Sequence, residues 1–145
     1  MARTQFDWTP DEEFLLKDAG LVAADAAATV ASAAQVVDLG TGRTDGRVIL
    51  DISAVEVADN NEMFLVITQF SNTADMSAGV VNGPVFIAGA SEITKASADT
   101  AVGRYELPFC NDHNGTVYRY MRLYTECQGT VGTGINYTAR GVKKA

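Results

Sequence analysis

Cysteine, histidine, tryptophan and proline are all scarce in this chain, whose 145 residues hold two, one, one and three of them respectively. Two cysteines make no disulfide framework, and none is needed, because folding at this length hides roughly 68–70% of the surface that an unfolded chain exposes. Cys110 and Cys127 could pair if strand ends met, but free thiols in a reducing compartment are the expectation. The single histidine, His113, lies in a polar turn beside Asp112 and near Cys110. A metal or nucleophilic centre needs converging ligands or an orienting partner, and these residues are too few. Positive charge is short too: 11 Lys and Arg stand against 18 Asp and Glu, for a net −7. That balance repels phosphate backbones and anionic lipid, so no nucleic acid is expected as a partner. No apolar run reaches the roughly 20 residues of a membrane span, and "MARTQFDWTPDEEF" lacks an apolar signal core, so no membrane contact and a cytosolic product are expected.

Catalytic motifs are missing as well. "GTGRTDG", from Gly40 to Gly46, does not have the G-x-G-x-x-G spacing, and β-rich "RVILDIS" follows it where a phosphate loop would open a helix. It reads as a structural turn. Glu56, Glu62, Glu92, Glu106 and Glu126 are scattered through strands and turns, with nothing to mark a glycosidase pair held across a cleft. The expectation is a protein that is not an enzyme and takes no cofactor or metal.

What the chain does have is strand signal. From Val36 onward β-branched and aromatic runs alternate with turn chemistry. In "RVILDISAVEVA", Val48, Leu50 and Ile52 share one face until the phase slips at Ser53-Ala54 and Val55 and Val57 take over, which predicts a bulge or bend. "MFLVITQFS" is apolar on both faces, the pattern of a strand covered on both sides. "NDHNGT" is a tight turn, since Asn and Gly tolerate positive φ, and it is expected to pair the strand ending at Cys110 with the one beginning at Thr116. Seven or eight strands result, which predicts an all-β fold: an antiparallel β-sandwich or jelly roll over residues 21–145.

Residues 1–20 read as an N-terminal arm. Within it "DWTPDEEF" has the chemistry of a short helix, with Thr9 as N-cap, Pro10 at the first position and acidic residues in the first turn. "ADAAATVASAAQ" is open between two readings. Its polar residues recur at helical spacing and alanine favours helix, yet such a helix would bury little beyond Val30, so an extended arm or edge strand competes.

One stretch stands out as a candidate site. In "TVYRYMRLYTECQG", period-two reading puts Val117, Arg119, Met121, Leu123 and Cys127 on one side and Tyr118, Tyr120, Arg122, Tyr124 and Glu126 on the other. Tyr and Arg are enriched at interface centres, because they join apolar area to a hydrogen-bonding tip. The same row also suits plain cross-strand packing on the outside of a sheet. In the arm, Trp8 and Phe14 are the apolar candidates for contact with a partner.

"VVDLG" after an alanine- and threonine-rich lead, then a β-rich middle, then "VYRYMRLYTECQGTVGTGINYTARGV" resembles the capsid cement, or decoration, proteins of tailed bacteriophages. The matching positions are Asp38-Leu39-Gly40, Arg119-Tyr120-Met121-Arg122-Leu123, Gly129 to Gly134, and Ile135 to Val142 as the closing strand. The resemblance runs from about Leu15 and lies in order and spacing more than identity. The opening "MARTQFDWTPDE", the polar "CNDHNG" turn and the Lys143-Lys144 tail depart from the pattern. It implies a jelly roll without catalysis or cofactor, made in the host cytoplasm and carried on the outer capsid surface of the virion. The implied partners are the phage major capsid protein and further copies of the chain, as a dimer or trimer. A carbohydrate-binding module and a phage tail or fibre component are the competing expectations.

Overall fold

The computed structural model describes the backbone of residues 8–144 and the side chains of residues 14–143. Strand β1 (Trp8–Lys17) is followed by five two-residue strands: β2 (Leu21–Val22), β3 (Ala26–Ala27), β4 (Thr29–Val30), β5 (Ala33–Ala34) and β6 (Val37–Asp38). Longer strands come next, β7 (Asp45–Val55), β8 (Met63–Ser71) and β9 (Val81–Gly89), then one helical turn, α1 (Ser91–Thr94). The chain continues through β10 (Gly103–Cys110), β11 (Asp112–His113), β12 (Thr116–Val117), β13 (Tyr120–Gln128) and β14 (Ile135–Lys144).

Two antiparallel sheets face each other. The first has the order β1-β14-β7-β10, with β2 also on β14; the second has the order β3-β13-β8-β9, with β6 on the same flank of β13 as β3. Counting β3 and β6 as one interrupted edge strand gives four strands to a sheet. The chain changes sheets at every long connection except β8 to β9, which is the connectivity of a jelly roll. The all-β sandwich expected from the sequence is therefore the fold.

The alternation read from the sequence sets the core. Val48, Leu50 and Ile52 of β7, Phe64, Val66 and Phe70 of β8, Met121 and Leu123 of β13, and Ile135 and Tyr137 of β14 fill the space between the sheets. The phase slip has the expected cause. Asn136 pairs with Ala54 while Tyr137 pairs with Ile52, so Ser53 is the extra residue of a bulge. "MFLVITQFS" differs on its outer side. Its inner residues meet the opposite sheet, whereas Ile67 points to the outer side between Tyr124 and Val85 and is 7% exposed.

The N-terminal expectation is overturned. Residues 8–17 are neither a helix nor a free arm but strand β1, which pairs with β14 from Trp8↔Lys144 to Lys17↔Ala139 and belongs to the sandwich. Capping chemistry at Thr9 and Pro10 is worth about 0.5–2 kcal/mol. Burying Phe14 and Leu16, at 1% and 0% exposure, is worth about 1.5–3 kcal/mol each, and the tertiary term wins. Phe14 lies over Gly141, where any side chain would collide with its ring, and meets Phe109 edge-on at 5.9 Å. Phe14 is thus a core residue and not an exposed contact. The Trp8 side chain lies outside the described residues.

The alanine-rich lead is extended. Ala28 donates its N–H to Leu123 O and the Asp25 carboxylate accepts from Cys127 N, which fastens the lead along β13. A small excursion, β4 paired with β5, turns through Ala31 and Ser32 at positive φ. The Asn114-Gly115 turn is as expected, closing the β11–β12 hairpin with φ of 54° and 84°. The wider pairing expected there is not found, because β10 and β13 belong to opposite sheets and the hairpin spans the gap between them.

Candidate protein interface

The two outer faces of the sandwich differ in the ion pairs they carry. On the first sheet, Arg47 meets Glu106 at 2.6 Å and Arg104 clasps Asp51 at 2.8 and 3.2 Å, all of them solvent-exposed pairs. On the second sheet, β13, β8 and β9 are in register so that Tyr124, Ile67 and Val85 form one row across the strands and Glu126, Leu65 and Ile87 the next. Val85 and Ile87 are 41% and 52% exposed. Antiparallel sheets with one wet face ordinarily put polar side chains on it, so an apolar outer face marks a surface suited to a partner.

A polar row bounds this patch. Arg122 donates to Gln69 Oε1 at 2.8 Å, and Gln69 Nε2 donates to Asn82 Oδ1 at 3.1 Å. Tyr120 stands beyond them at the start of β13, next to Arg119, whose guanidinium binds both Asp38 oxygens at 2.9 Å and lies 5.4 Å from the Tyr120 ring centre. The Arg119 bond, then the Gly40 N–H, hold the Asp38 carboxyl down at about 2. Arg122 lies over the Tyr124 ring in the same way, 5.9 Å from its centre.

Tyr120, Arg122 and Tyr124 are therefore brought together on the outer face, half-buried by their neighbours. Tyr118 is not with them. It packs against the core and meets the His113 ring edge-on at 5.8 Å, because the chain ahead of β13 is out of phase with the strand. The cause is Asn111, fully buried and bonded to Thr44 N, Gly42 O and Tyr118 O, which pulls Tyr118 to the end of the sandwich. Sequence reading missed Leu65, Ile67, Val85 and Ile87 as members of the face. The signal was there in the two-sided apolarity of β8, but only the register shows that β9 extends it.

The remaining candidates have structural work. Oxygens of Glu56, Asp59 and Glu62 lie within 4.8 Å of one another. Glu56 accepts N–H bonds from Gly132, Thr133 and Gly134, and Glu62 accepts them from Asp59 and Asn61. The Glu56 bonds tie the β7–β8 loop to the β13–β14 loop, and the Glu62 bonds brace the β7–β8 loop on itself. Cys110 and Cys127 are both free. Burial first, then Asp25 and Glu126, push the Cys127 thiol up to about 11, which leaves it a poor nucleophile at neutral pH. The His113 ring rests on Phe70 at 4.9 Å. "GTGRTDG" is a turn, with Gly40 at φ 85° donating to Asp38 Oδ1.

No protein-family model, curated protein or solved structure matches the chain.

Proposed function

We propose that this chain is a capsid decoration protein of a tailed bacteriophage, which binds the outside of the assembled head and bridges neighbouring major capsid subunits as a homo-oligomer. The observation that carries the reading is the apolar outer face built on Tyr124, Ile67, Val85, Leu65 and Ile87, set opposite an outer face that carries the ion pairs Arg47–Glu106 and Arg104–Asp51 on the other sheet. A jelly roll fits the resemblance in "DLG" and "RYMRL". Ligands that bind only the assembled lattice stabilise it by mass action, and symmetry multiplies contacts that are weak one by one. The acidic chain suits an outer surface, away from packaged DNA.

The sugar-binding alternative draws less support, since Arg119 and Arg122 already stand over the tyrosine rings on which a sugar would stack.

The test is co-sedimentation with mature capsids lacking the protein, followed by electron cryomicroscopy of the pellet. Saturable binding at one class of symmetry site is expected, and a Tyr120→Ser, Tyr124→Ser double variant should stay folded while losing occupancy. Protein that remains in the supernatant with its natural host particle overturns the role, and unchanged occupancy of the variant overturns the assignment of the face.

A further inference from the structure

An asparagine amide is open to attack by the backbone nitrogen that follows it, and glycine, with no Cβ, shields that nitrogen least. Of the seven asparagines in the chain, only Asn82 and Asn114 precede glycine. The sequence treats the two alike and the structure does not. Asn82 lies in β9, where it pairs with Gln69 across the ladder and its Oδ1 accepts from Gln69 Nε2 at 3.1 Å. Gly83 is closed in, because a Cβ there would stand 2.7 Å from both the Phe70 ring and Thr68 Oγ1. Asn114 and Gly115 form the exposed tip of the β11–β12 hairpin. Beyond its chain neighbours, no atom lies within 4 Å of a Cβ built on Gly115, and the Asn114 side chain has no hydrogen-bond partner among the described residues. Such a tip can rearrange without moving a long strand.

We infer that Asn114 is a site of spontaneous deamidation, held in check by Asp112. Gly115 N attacks Asn114 Cγ, the Cγ–Nδ2 bond breaks, and ammonia leaves with the proton that the attacking nitrogen gives up. Water then opens the cyclic imide, at the side-chain carbonyl to give aspartate or at the main-chain carbonyl to give isoaspartate, whose backbone runs through Cβ. No oxidant, reductant or enzyme is required. The brake is the Gly115 N–H, which is donated to Asp112 Oδ1 at 3.1 Å. A hydrogen bond made by the protonated form opposes loss of that proton. Isoaspartate adds a methylene to a two-residue loop whose length fixes the His113↔Thr116 register. The hairpin must then open, releasing the His113 ring from Phe70 and Tyr118, whose ring centres lie 4.9 and 5.8 Å away. This inference goes beyond the capsid reading and does not depend on it.

The full chain is incubated in warm, mildly alkaline buffer and digested, and its peptides are fragmented in a mass spectrometer, where an amide that has become an acid shows a mass gain at its own residue. Asn114 should convert first while Asn82 stays intact. In urea, where the fold no longer separates them, the two should convert at similar rates. Methylation by an isoaspartyl methyltransferase should label the Asn114 peptide, and the His113 ring signals should move as the label accumulates. Asp112→Ala should speed conversion at Asn114 severalfold and leave Asn82 intact, which reports that the variant is folded. The comparison within the wild-type chain stands by itself and needs no variant. Conversion of Asn82 ahead of Asn114 in the folded chain, an Asn114 that persists after the chain in urea has converted, or unchanged or slower conversion in folded Asp112→Ala would overturn the inference.

Discussion

The hydroxyls of Thr125 on β13 and Tyr137 on β14 lie 2.6 Å apart in the space between the two sheets, both side chains being almost fully buried. This bond joins the sheets through a polar contact inside an apolar core. Tyr137→Phe leaves the Thr125 hydroxyl unpaired and should cost about 1–3 kcal/mol in urea unfolding. Adding Thr125→Val to it should recover part of that loss, a non-additivity that a double-mutant cycle reads directly.

The same tyrosine predicts an alkaline limit. Burial pushes the Tyr137 phenol up to about 12, against the opposing hydrogen bond from Thr125. The folded state therefore holds the proton more tightly than the unfolded state, whose tyrosine titrates near 10. The associated stability is whole below about pH 10 and is lost as pH rises through about 12. Unfolding midpoints of wild type and Tyr137→Phe should converge across that window; Cys127→Ser in both backgrounds removes the thiol that titrates nearby.

Lys17 should behave as a structural cation. Burial lowers its pKa while the Asp18 carboxylate offsets part of the shift. Its ammonium satisfies three carbonyls and lies 4.5 Å from the Tyr137 ring centre. Lys17→Met retains the apolar stem but leaves those carbonyls without a donor, and should destabilise by about 2–4 kcal/mol on chemical unfolding. A loss within experimental error would show that water replaces the ammonium at no cost.

Truncation separates a strand from an arm. Removing residues 1–20 strips Phe14 and Leu16 from the core and uncovers the flank of β14, so the truncated chain should fail to give a cooperative melting transition. Phe14→Ala alone should cost about 3–5 kcal/mol. A truncated chain that melts like the intact one would remove β1 from the sandwich.

Acid should loosen one end of the molecule first. N–H bonds from Gly134, Gly132 and Thr133 hold the Glu56 carboxyl below its usual range. The stability linked to Glu56 is present above the ordinary glutamate pKa and is lost as pH falls through the lowered one. Hydrogen exchange at Gly132, Thr133 and Gly134 should accelerate on acidification before the core amides do, and Glu56→Ala should show the fast exchange at neutral pH.

What could be read from the residues followed from short-range rules. The alternation of Val48, Leu50 and Ile52, the slip at Ser53 and the Asn114-Gly115 turn each depend on a few neighbours, and each is found as expected. The misread parts depend on partners far along the chain. Thr9-Pro10 carries real helix-start chemistry, but the space that Gly141 leaves for Phe14 outweighs it, and nothing near residue 14 reveals a glycine so distant. Tyr118 left the tyrosine row because Asn111 holds the backbone at residue 118. The interface patch was half legible, since two-sided apolarity in "MFLVITQF" was visible but its alignment with Val85 and Ile87 was a matter of register.

The backbone pairing of Trp8 with Lys144 has a topological meaning as well as an energetic one. Residues 8 and 144 are neighbours, so a short peptide could splice one to the other and the chain could be reopened at Asn114-Gly115 without altering the order of strands in either sheet. The jelly roll is in this sense a closed circuit, whose strand order does not depend on where the backbone is opened.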